Sequence, residues 1–362
     1  VHQPTNDSRY TGRTHFFKKI NRWARSSKVC MIAVVGIGGQ GKTSLVGRWL
    51  MQERDPEISK IPVFYWSFYE DRDVEKFLAQ VVEFYKPISK VADEQASAIN
   101  IIINAAKETR LLLVLDGMEV LQSASTSNHG SINHTSLFSF FQQWLQISHQ
   151  GLIVLTSRFQ FPQFRPYEGI NFQPLYLNGL TKQDGIALLH KLGILGEGDE
   201  LINYVEKLSG HPLALRLLAS LVHRVCDGNL SLFQDDDLLS EDDKLTGKLK
   251  RLLHFYELQL EGGQKELMYI LSLFRRPVKI ESFLVLLSGM GSLESTPLAN
   301  ADRENIHHQI RLLVDEFLVE ETSDGYTTHP VVRDYFRNTN NIVGSRSEVA
   351  IFLREQPGNW HP

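Results

Sequence analysis

CMIAVVGIGGQGKTS, residues 30–44, joins a run of apolar, β-branched residues to a glycine-rich segment that ends in Lys-Thr-Ser. The run Cys30–Gly36 is typical of a strand buried on both faces of a sheet. Glycines allow backbone conformations that other residues avoid, so the N–H groups of such a segment can converge on one anion. Gly36, four residues and then Gly41-Lys42-Thr43 therefore predict a phosphate-binding loop between a strand and a helix.

This loop predicts the contacts of a nucleoside triphosphate or diphosphate. Lys42 would reach the β- and γ-phosphates, and the Thr43 hydroxyl would ligate Mg²⁺. The helix that follows would add the positive end of its dipole. The expected phosphate-binding residues are Gly36, Gly38, Gly39, Gln40, Gly41, Lys42, Thr43 and Ser44.

The same letters also fit a dinucleotide fingerprint, Gly36-x-Gly38-x-x-Gly41. In that alternative, Glu70 or Asp71 would bind the ribose after the second strand. We favour the phosphate loop for two reasons. Lys-Thr follows the last glycine at once, where a dinucleotide fold needs small or apolar residues, and further phosphate-site elements lie downstream.

Two later apolar runs end in polar residues that suit a phosphate site. In LLLVLDGME, residues 111–119, the acid Asp116 ends a buried strand, which is costly unless the carboxylate serves a cation or hydrogen bonds. We expect Asp116 to join Thr43 in the Mg²⁺ shell and Glu119 to activate an attacking water. In LIVLTSR, residues 152–158, Arg158 would point towards the γ-phosphate. Each residue also has a structural alternative. Asp116 could form an Asp-Gly turn, Glu119 could lie at a solvated helix start, and Arg158 could be a surface residue.

The order of patterns along the chain predicts a doubly covered parallel sheet followed by helices. Five strand-like runs alternate with helical patterns up to about residue 178, which is typical of an α/β domain. Helical patterns follow, and a strand–turn–strand pattern near residue 325 resembles the wing of a winged-helix domain. The polar segment 122–136 is expected to be a mobile surface loop. The predicted divisions are 1–28 (flank), 29–178 (P-loop domain), 179–247 (all-α helical domain), 248–340 (winged-helix domain) and 341–362 (linker or sensor region).

Composition excludes several classes of protein. The 362 residues are 42% hydrophobic and 22% charged, with a net charge of −4 and two cysteines. These values are those of a globular protein of two to three domains in a reducing, cytoplasmic compartment. No apolar run has the length of a membrane span, and no basic patch favours nucleic acid. Because the first residue is Val, we expect a longer parent polypeptide.

Taken together, these residues resemble the STAND class of signalling NTPases, the NB-ARC- and NACHT-like relatives of the AAA+ ATPases, with a closer likeness to bacterial members. Gly12 and Arg13, in Tyr10-Thr11-Gly12-Arg13, look like the family motif that contacts adenine and ribose, although Thr14 replaces the usual acid. Pro212, in Gly210-His211-Pro212-Leu213, is similar to the proline that packs on adenine. His329 resembles the histidine that holds the ADP β-phosphate, although its neighbours Thr328 and Pro330 depart from the plant-type motif.

The resemblance implies a molecular switch in signalling, innate immunity or defence. ADP would lock a monomer through Pro212 and His329, whereas ATP would engage Arg158 and allow self-association. Hydrolysis would be slow, and effector and sensor domains would belong to the same longer chain. Two alternatives stay open: an AAA+-type remodelling ATPase, and a transcription regulator whose winged helix binds DNA. The transcription regulator is disfavoured because acidic residues near the wing would repel the phosphates of DNA.

Overall fold

The computed structural model forms two compact units, Val1–Asn178 and Gly179–Pro362. It describes residues 10–86, 97–233, 239, 244–261, 263–288, 298, 301–322 and 325–339. The predicted linker or sensor region, 341–362, lies outside the described residues. The boundary between the units coincides with the place where the strand-like runs stop in the sequence.

The first unit is built on a five-stranded parallel sheet in the order β2-β3-β4-β1-β5. This confirms the predicted α/β architecture. Strand β4 lies between β1 and β3, so their carboxyl ends meet at one edge of the sheet. Polar residues that end these strands are therefore neighbours in space. The strands are β1 (Met31–Val35), β2 (Val63–Ser67), β3 (Leu112–Asp116), β4 (Leu152–Ser157) and β5 (Phe172–Tyr176).

Both faces of the sheet are buried, which explains why its strands are continuous apolar runs. On β1, Met31 and Ala33 belong to one core, while Ile32 and Val34 belong to the other. Alternate residues of a strand point to opposite faces, so a strand covered on both sides needs an apolar residue at every position. The helices that supply this cover are α1 (Thr14–Arg25), α2 (Lys42–Arg48), α3 (Pro56–Ser59), α4 (Val74–Tyr85), α5 (Ala98–Glu108) and α6 (Thr135–Gln146).

Helix α1 lies in the segment that was predicted only as a flank. Its buried residues Phe17, Ile20 and Ala24 follow helical spacing and pack in the same core as Trp49. Helix α2 continues into a π-helical segment, Trp49–Glu53. The Asn21 side chain accepts from the Trp49 indole N–H at 2.8 Å, which attaches α1 to the helix behind the phosphate loop.

The predicted surface loop 122–136 is anchored at both sides. Residues 123–129 are solvent-exposed or half-exposed, as expected. Gln122 and Ile132, however, are buried and form an isolated β-bridge. The Gln122 amide nitrogen also donates to the carbonyls of Gly130 at 2.6 Å and Gln160 at 3.0 Å. The polar composition of the segment did not indicate these anchors.

The second unit is largely helical, and one hydrophobic core runs through it from Leu180 to Phe336. A short antiparallel hairpin pairs β6 (Glu320–Thr322) with β7 (Gly325–Thr327), and Tyr326 also forms a bridge with Val278. Its division into a helical and a winged-helix domain stays a prediction. The helices are α7 (Lys182–Lys191), α8 (Gly198–Lys207), α9 (Pro212–Cys226), α10 (Leu245–Gln259), α11 (Gln264–Leu273), α12 (Ile280–Ser288), α13 (Arg303–Asp315) and α14 (Pro330–Thr339).

Across the described parts of both units, no helix combines the length and the apolar composition that a bilayer span needs. The longest of these helices, α9 and α10, have 15 residues each. A spanning helix needs about 20 predominantly apolar residues.

Candidate nucleotide-binding site

The glycine-rich loop joins the end of β1 to the start of α2, as the sequence predicts. Gly39 and Gly41 have φ angles of +76° and +80°, in the left-handed region that glycine adopts without steric cost. A methyl group on Gly36 would lie 2.9 Å from the Leu177 carbonyl oxygen, so only glycine fits there. The first N–H groups of α2 have no acceptors within the helix. This arrangement is suited to binding an anion.

Lys42 is a buried cation at the centre of the loop. Its side-chain ammonium donates to the carbonyl oxygens of Gly36 at 2.8 Å and Ile37 at 3.0 Å. The pKa of Lys42 is lowered to about 8, chiefly by burial and also by the Arg158 charge, although the Glu119 and Asp116 charges oppose the shift. A cation that is desolvated in this way gains more from a phosphate than an exposed lysine would.

The lowered pKa of Lys42 predicts that nucleotide affinity falls at high pH. Above about pH 8 the unliganded ammonium loses its proton, so binding must take one up, and the dissociation constant should rise towards about tenfold per pH unit. Phosphate ionisation does not contribute, because its second pKa lies near ~6. Titration calorimetry between pH 7 and 10 measures this dependence.

Lys42→Arg is the matched control for this titration, because its guanidinium keeps its charge throughout that range. The variant should show a flat affinity above pH 8, whatever its absolute affinity. An equally steep fall in both proteins would contradict the assignment to Lys42.

Asp116 lies at the end of β3 and binds the loop through a hydroxyl group. One of its carboxylate oxygens accepts from Thr156 at 2.6 Å and from Thr43 at 2.8 Å. Burial raises the pKa of Asp116, while the hydroxyl donors Thr156 and Thr43 oppose that shift. The Thr156 hydroxyl also accepts from the Gly117 N–H at 3.0 Å, which orients it towards the carboxylate. The ends of β3 and β4 and the start of α2 are thereby tied together.

The Thr43–Asp116 pair fits a magnesium ion. Mg²⁺ prefers oxygen ligands and is commonly held by one or two carboxylates together with substrate phosphates and water. Here a hydroxyl and a buried carboxylate lie 2.8 Å apart beside the phosphate loop. Among the described residues, no group of three or more His, Cys, Asp or Glu side chains could hold a metal by itself. One hydroxyl and one carboxylate leave coordination positions that nucleotide phosphates and water would fill.

Glu119 is held by two partners. Its carboxylate pairs with the Arg158 Nε at 2.9 Å and accepts from the Arg158 backbone N–H at 3.3 Å. The Tyr69 hydroxyl donates to the same carboxylate. The Glu119 side chain is 7% exposed and that of Arg158 is 26% exposed. In this structure Glu119 and Arg158 are each other's charged partners. The catalytic roles that the sequence suggests for them stay predictions.

Tyr69 is a site residue that the sequence patterns did not predict. It follows β2, whose last residue, Ser67, lies opposite Asp116 in the sheet register. Its ring packs against Gly117, where a methyl group would lie 2.6 Å from the ring carbon Cδ2. Burial raises the pKa of Tyr69, and the nearby Glu119 charge raises it further, so the hydroxyl stays a donor. The polar end of the second strand was the available signal.

Gly12 and Arg13 lie beside the phosphate loop. Both have positive φ angles, +71° and +66°, and Arg13 directly precedes α1. The Arg13 guanidinium donates to the carbonyl oxygens of Gln40 at 2.7 Å and Asn178 at 3.0 Å. The structure therefore gives this arginine backbone contacts in the loop itself. The adenine contact that the resemblance implies for these residues stays a prediction.

Pro212 and His329 both belong to the second unit, where each lies at the start of a helix. Pro212 is the first residue of α9, and the preceding His211 accepts from the Ala214 N–H at 3.2 Å as a helix cap. The His329 ring nitrogen Nδ1 accepts from the Val331 N–H at 3.2 Å, next to the start of α14. These contacts are local, and the nucleotide roles of the two residues stay predictions.

Comparison with known proteins identifies one distant relative and, among solved structures, a similar fold. No family model matches the chain. An uncharacterized WD repeat-containing protein of Nostoc sp. is 25% identical over 340 residues, which cover 91% of this chain and 26% of that protein. The likeness extends over nearly all of this chain, which spans about a quarter of the relative.

Among solved structures, the chain is similar to a protein from Pyrococcus horikoshii, with a TM-score of 0.66. That protein is a STAND protein (signal transduction ATPase with numerous domains) with a tetratricopeptide repeat sensor. The sequences are 16% identical, and the match covers 99% of this chain and 47% of that one. The first unit has the fold of a P-loop NTPase. At this identity the likeness establishes the fold alone, and this chain spans about half of the solved protein.

Proposed function

We propose that this chain is the adenine-nucleotide-binding switch module of a STAND-type signalling protein. The observation that carries the proposal is the meeting of Lys42, Thr43 and Asp116 at one edge of the sheet, next to a loop closed by glycines. A buried cation, a magnesium-type oxygen pair and convergent backbone N–H groups together match the charge of a nucleoside triphosphate or diphosphate.

Nucleotide binding would replace contacts within the loop by contacts between the loop and the phosphates. The Lys42 ammonium would leave the carbonyls of Gly36 and Ile37 for the β- and γ-phosphate oxygens. Thr43 and Asp116 would hold a magnesium ion, which neutralises charge that develops on the transferred phosphoryl group. Adenine is the base that the resemblance at Gly12 and Arg13 supports.

The contacts of Glu119 favour slow hydrolysis. A general base needs an acceptor oxygen within hydrogen-bond reach of the attacking water. In the structure, Tyr69 and Arg158 both bind the Glu119 carboxylate. These donors occupy most of the acceptor positions of the carboxylate. We therefore propose that access of the attacking water to Glu119 limits turnover. A slow hydrolytic step suits a switch that resets rather than a continuously working ATPase.

In the proposed cycle, ADP and ATP differ in the residues that they engage. Pro212 and His329 would favour the ADP-bound monomer, while the γ-phosphate would draw Arg158 away from Glu119 and favour self-association. A ligand moves such an equilibrium only through its different affinities for the two states. These roles rest on the family resemblance. The Arg158–Glu119 ion pair supports them in that it gives Arg158 one anionic partner, which a γ-phosphate would replace.

The His329 role predicts that His329→Ala releases ADP faster and shifts the chain towards oligomers. We expect the loss of one charge-assisted contact to weaken ADP binding by about tenfold to a hundredfold, because the β-phosphate would lose its partner. ADP dissociation followed by stopped flow and sedimentation velocity with ATP provide the measurements.

Two further variants separate this role from helix capping. His329→Asn keeps an acceptor for the Val331 N–H but not the ring contact, so it should behave like His329→Ala. The exposed His308→Ala is the matched control and should leave both measurements unchanged. Wild-type ADP release and sedimentation in both His329 variants would contradict the proposed switch.

The two alternative functions make different predictions. A remodelling ATPase would turn over quickly and show a rate per chain that rises steeply with protein concentration, whereas the switch should stay slow at every concentration. DNA binding is disfavoured because the hairpin exposes Glu320 and Glu321, which repel phosphate. A salt-dependent shift of DNA in a gel would nevertheless support the regulator.

A further inference from the structure

Arg13 connects two backbone segments that are far apart in the chain. Its two terminal guanidinium nitrogens donate to Gln40 O at 2.7 Å and to Asn178 O at 3.0 Å. Gln40 lies in the phosphate loop, and Asn178 is the last residue of the first unit. Arg13 is 4% exposed, so its guanidinium is largely shielded from water. One planar cation therefore holds the loop and the junction together.

The backbone at Arg13 is placed in an uncommon conformation to do this. Arg13 has a φ of +66° directly after Gly12 at +71°. Residues other than glycine rarely occupy this region, and they do so where the surrounding structure imposes it. The Arg13 carbonyl accepts from the Phe16 N–H at 2.9 Å as α1 begins. The turn thus directs the guanidinium to the loop while the helix starts behind it.

The other end of the phosphate loop contacts the same junction. Gly36 lies so close to Leu177 that a methyl group would come within 2.9 Å of the Leu177 carbonyl oxygen. The Leu177 N–H donates to the Val35 carbonyl at 2.7 Å. Both ends of the loop are therefore attached to residues 177–178. A rearrangement of the loop on phosphate binding acts on these two residues directly.

The residues after the junction are fixed within the second unit. The Leu180 N–H donates to the Gly210 carbonyl at 2.7 Å. A methyl group on Gly179 would lie 2.0 Å from the Ser209 carbonyl oxygen. Only the bond from Asn178 to Gly179 separates the part held by Arg13 from the part held by residues 209–210.

We propose that Arg13 is a positioning residue that couples occupancy of the phosphate loop to the junction at residues 177–180. This inference rests on the proposed nucleotide binding and adds a route from the phosphates to the boundary of the second unit. Phosphate in the loop fixes the Gln40 peptide, which strengthens its bond to Arg13 and, through the shared guanidinium, the bond to Asn178. By linkage, ordering of the junction favours nucleotide binding to the same degree.

Hydrogen exchange of peptides that cover 36–43 and 174–180, with and without saturating Mg²⁺-ADP, tests the coupling. In the wild type, ADP should slow exchange in both peptides, at the junction by about fivefold or more, the lower end of ordinary coupling strengths. In Arg13→Lys a single ammonium replaces the planar fork. Measured at an ADP concentration that saturates the variant, whatever its affinity, Arg13→Lys should keep the effect in the loop and lose it at the junction.

Arg54→Lys is the matched control, because Arg54 is also an arginine of the first unit that binds a backbone carbonyl, Leu50 O at 2.8 Å, away from the junction. It should keep both effects. Arg13→Gln serves as a second variant at the same position. Each protein is compared with its own nucleotide-free state, so a general loss of stability cancels.

The outcomes distinguish the coupling from the binding on which it rests. If ADP protects the loop but not the junction in the wild type, or if both Arg13 variants keep the junction effect, Arg13 does not couple them. If ADP protects neither peptide in the wild type, the proposed nucleotide binding is wrong, and the coupling with it.

Discussion

Lys42→Ala is expected to weaken the binding of both ATP and ADP by about 30-fold to 1,000-fold, the ~2–4 kcal/mol that loss of one partner from a buried charge pair costs. The ammonium is buried at the centre of the loop, within 3.0 Å of two loop carbonyls that phosphate oxygens would replace. Without it, the phosphates would meet those carbonyl oxygens with no compensating charge. Titration calorimetry with Mg²⁺-ATP and Mg²⁺-ADP measures the loss.

Lys18→Ala is the control for this variant, since Lys18 is an exposed lysine of the same unit. It should bind both nucleotides as the wild type does. Thermal unfolding without nucleotide should show that both variants fold. Affinities of the Lys42 variant within about threefold of the wild type, less than one hydrogen bond to a charged group contributes, would show that the phosphates do not bind in this loop.

Glu119→Gln is expected to slow hydrolysis by about a hundredfold or more, the usual contribution of a general base, with little change in nucleotide affinity. The amide can occupy the space of the carboxylate and still accept from Tyr69, but it cannot take a proton from water. Release of inorganic phosphate in single-turnover conditions separates this effect from binding.

Tyr69→Phe should act in the opposite direction. It removes one of the two partners that hold Glu119 and leaves the Arg158 ion pair in place. We expect its single-turnover rate to exceed that of the wild type. A variant slower than the wild type would show that Tyr69 assists the chemistry rather than restraining it. Wild-type hydrolysis in Glu119→Gln would exclude Glu119 as the base.

The sequence predicted those parts of the site that depend on the carboxyl ends of parallel strands. Asp116 and Thr156 end neighbouring apolar runs, so the sheet brings them together once its strand order is given. The phosphate loop was predictable for a similar reason, because its glycines and Lys42 follow the first such run directly. Local pattern and strand topology were sufficient for these residues.

The contacts of Arg13, Tyr69 and Gln122 were not predictable in the same way. Arg13 binds Asn178, which lies 165 positions further along the chain. Its partners are backbone carbonyls, which every residue has, so no sequence pattern indicates them. The pairing of Glu119 with Arg158 depends on side-chain conformations at two different strand ends. Helix α1, in contrast, could have been predicted from the spacing of Phe17, Ile20 and Ala24.

The most direct test of the central claim is the nucleotide content of the purified chain. Acid release followed by chromatography and mass measurement identifies what co-purifies, and equilibrium dialysis against Mg²⁺-ADP and Mg²⁺-ATP measures what can be added. We expect stoichiometric adenine nucleotide, chiefly ADP, on the wild type and almost none on Lys42→Ala. A wild-type chain that purifies without nucleotide and binds neither ADP nor ATP in dialysis would contradict it.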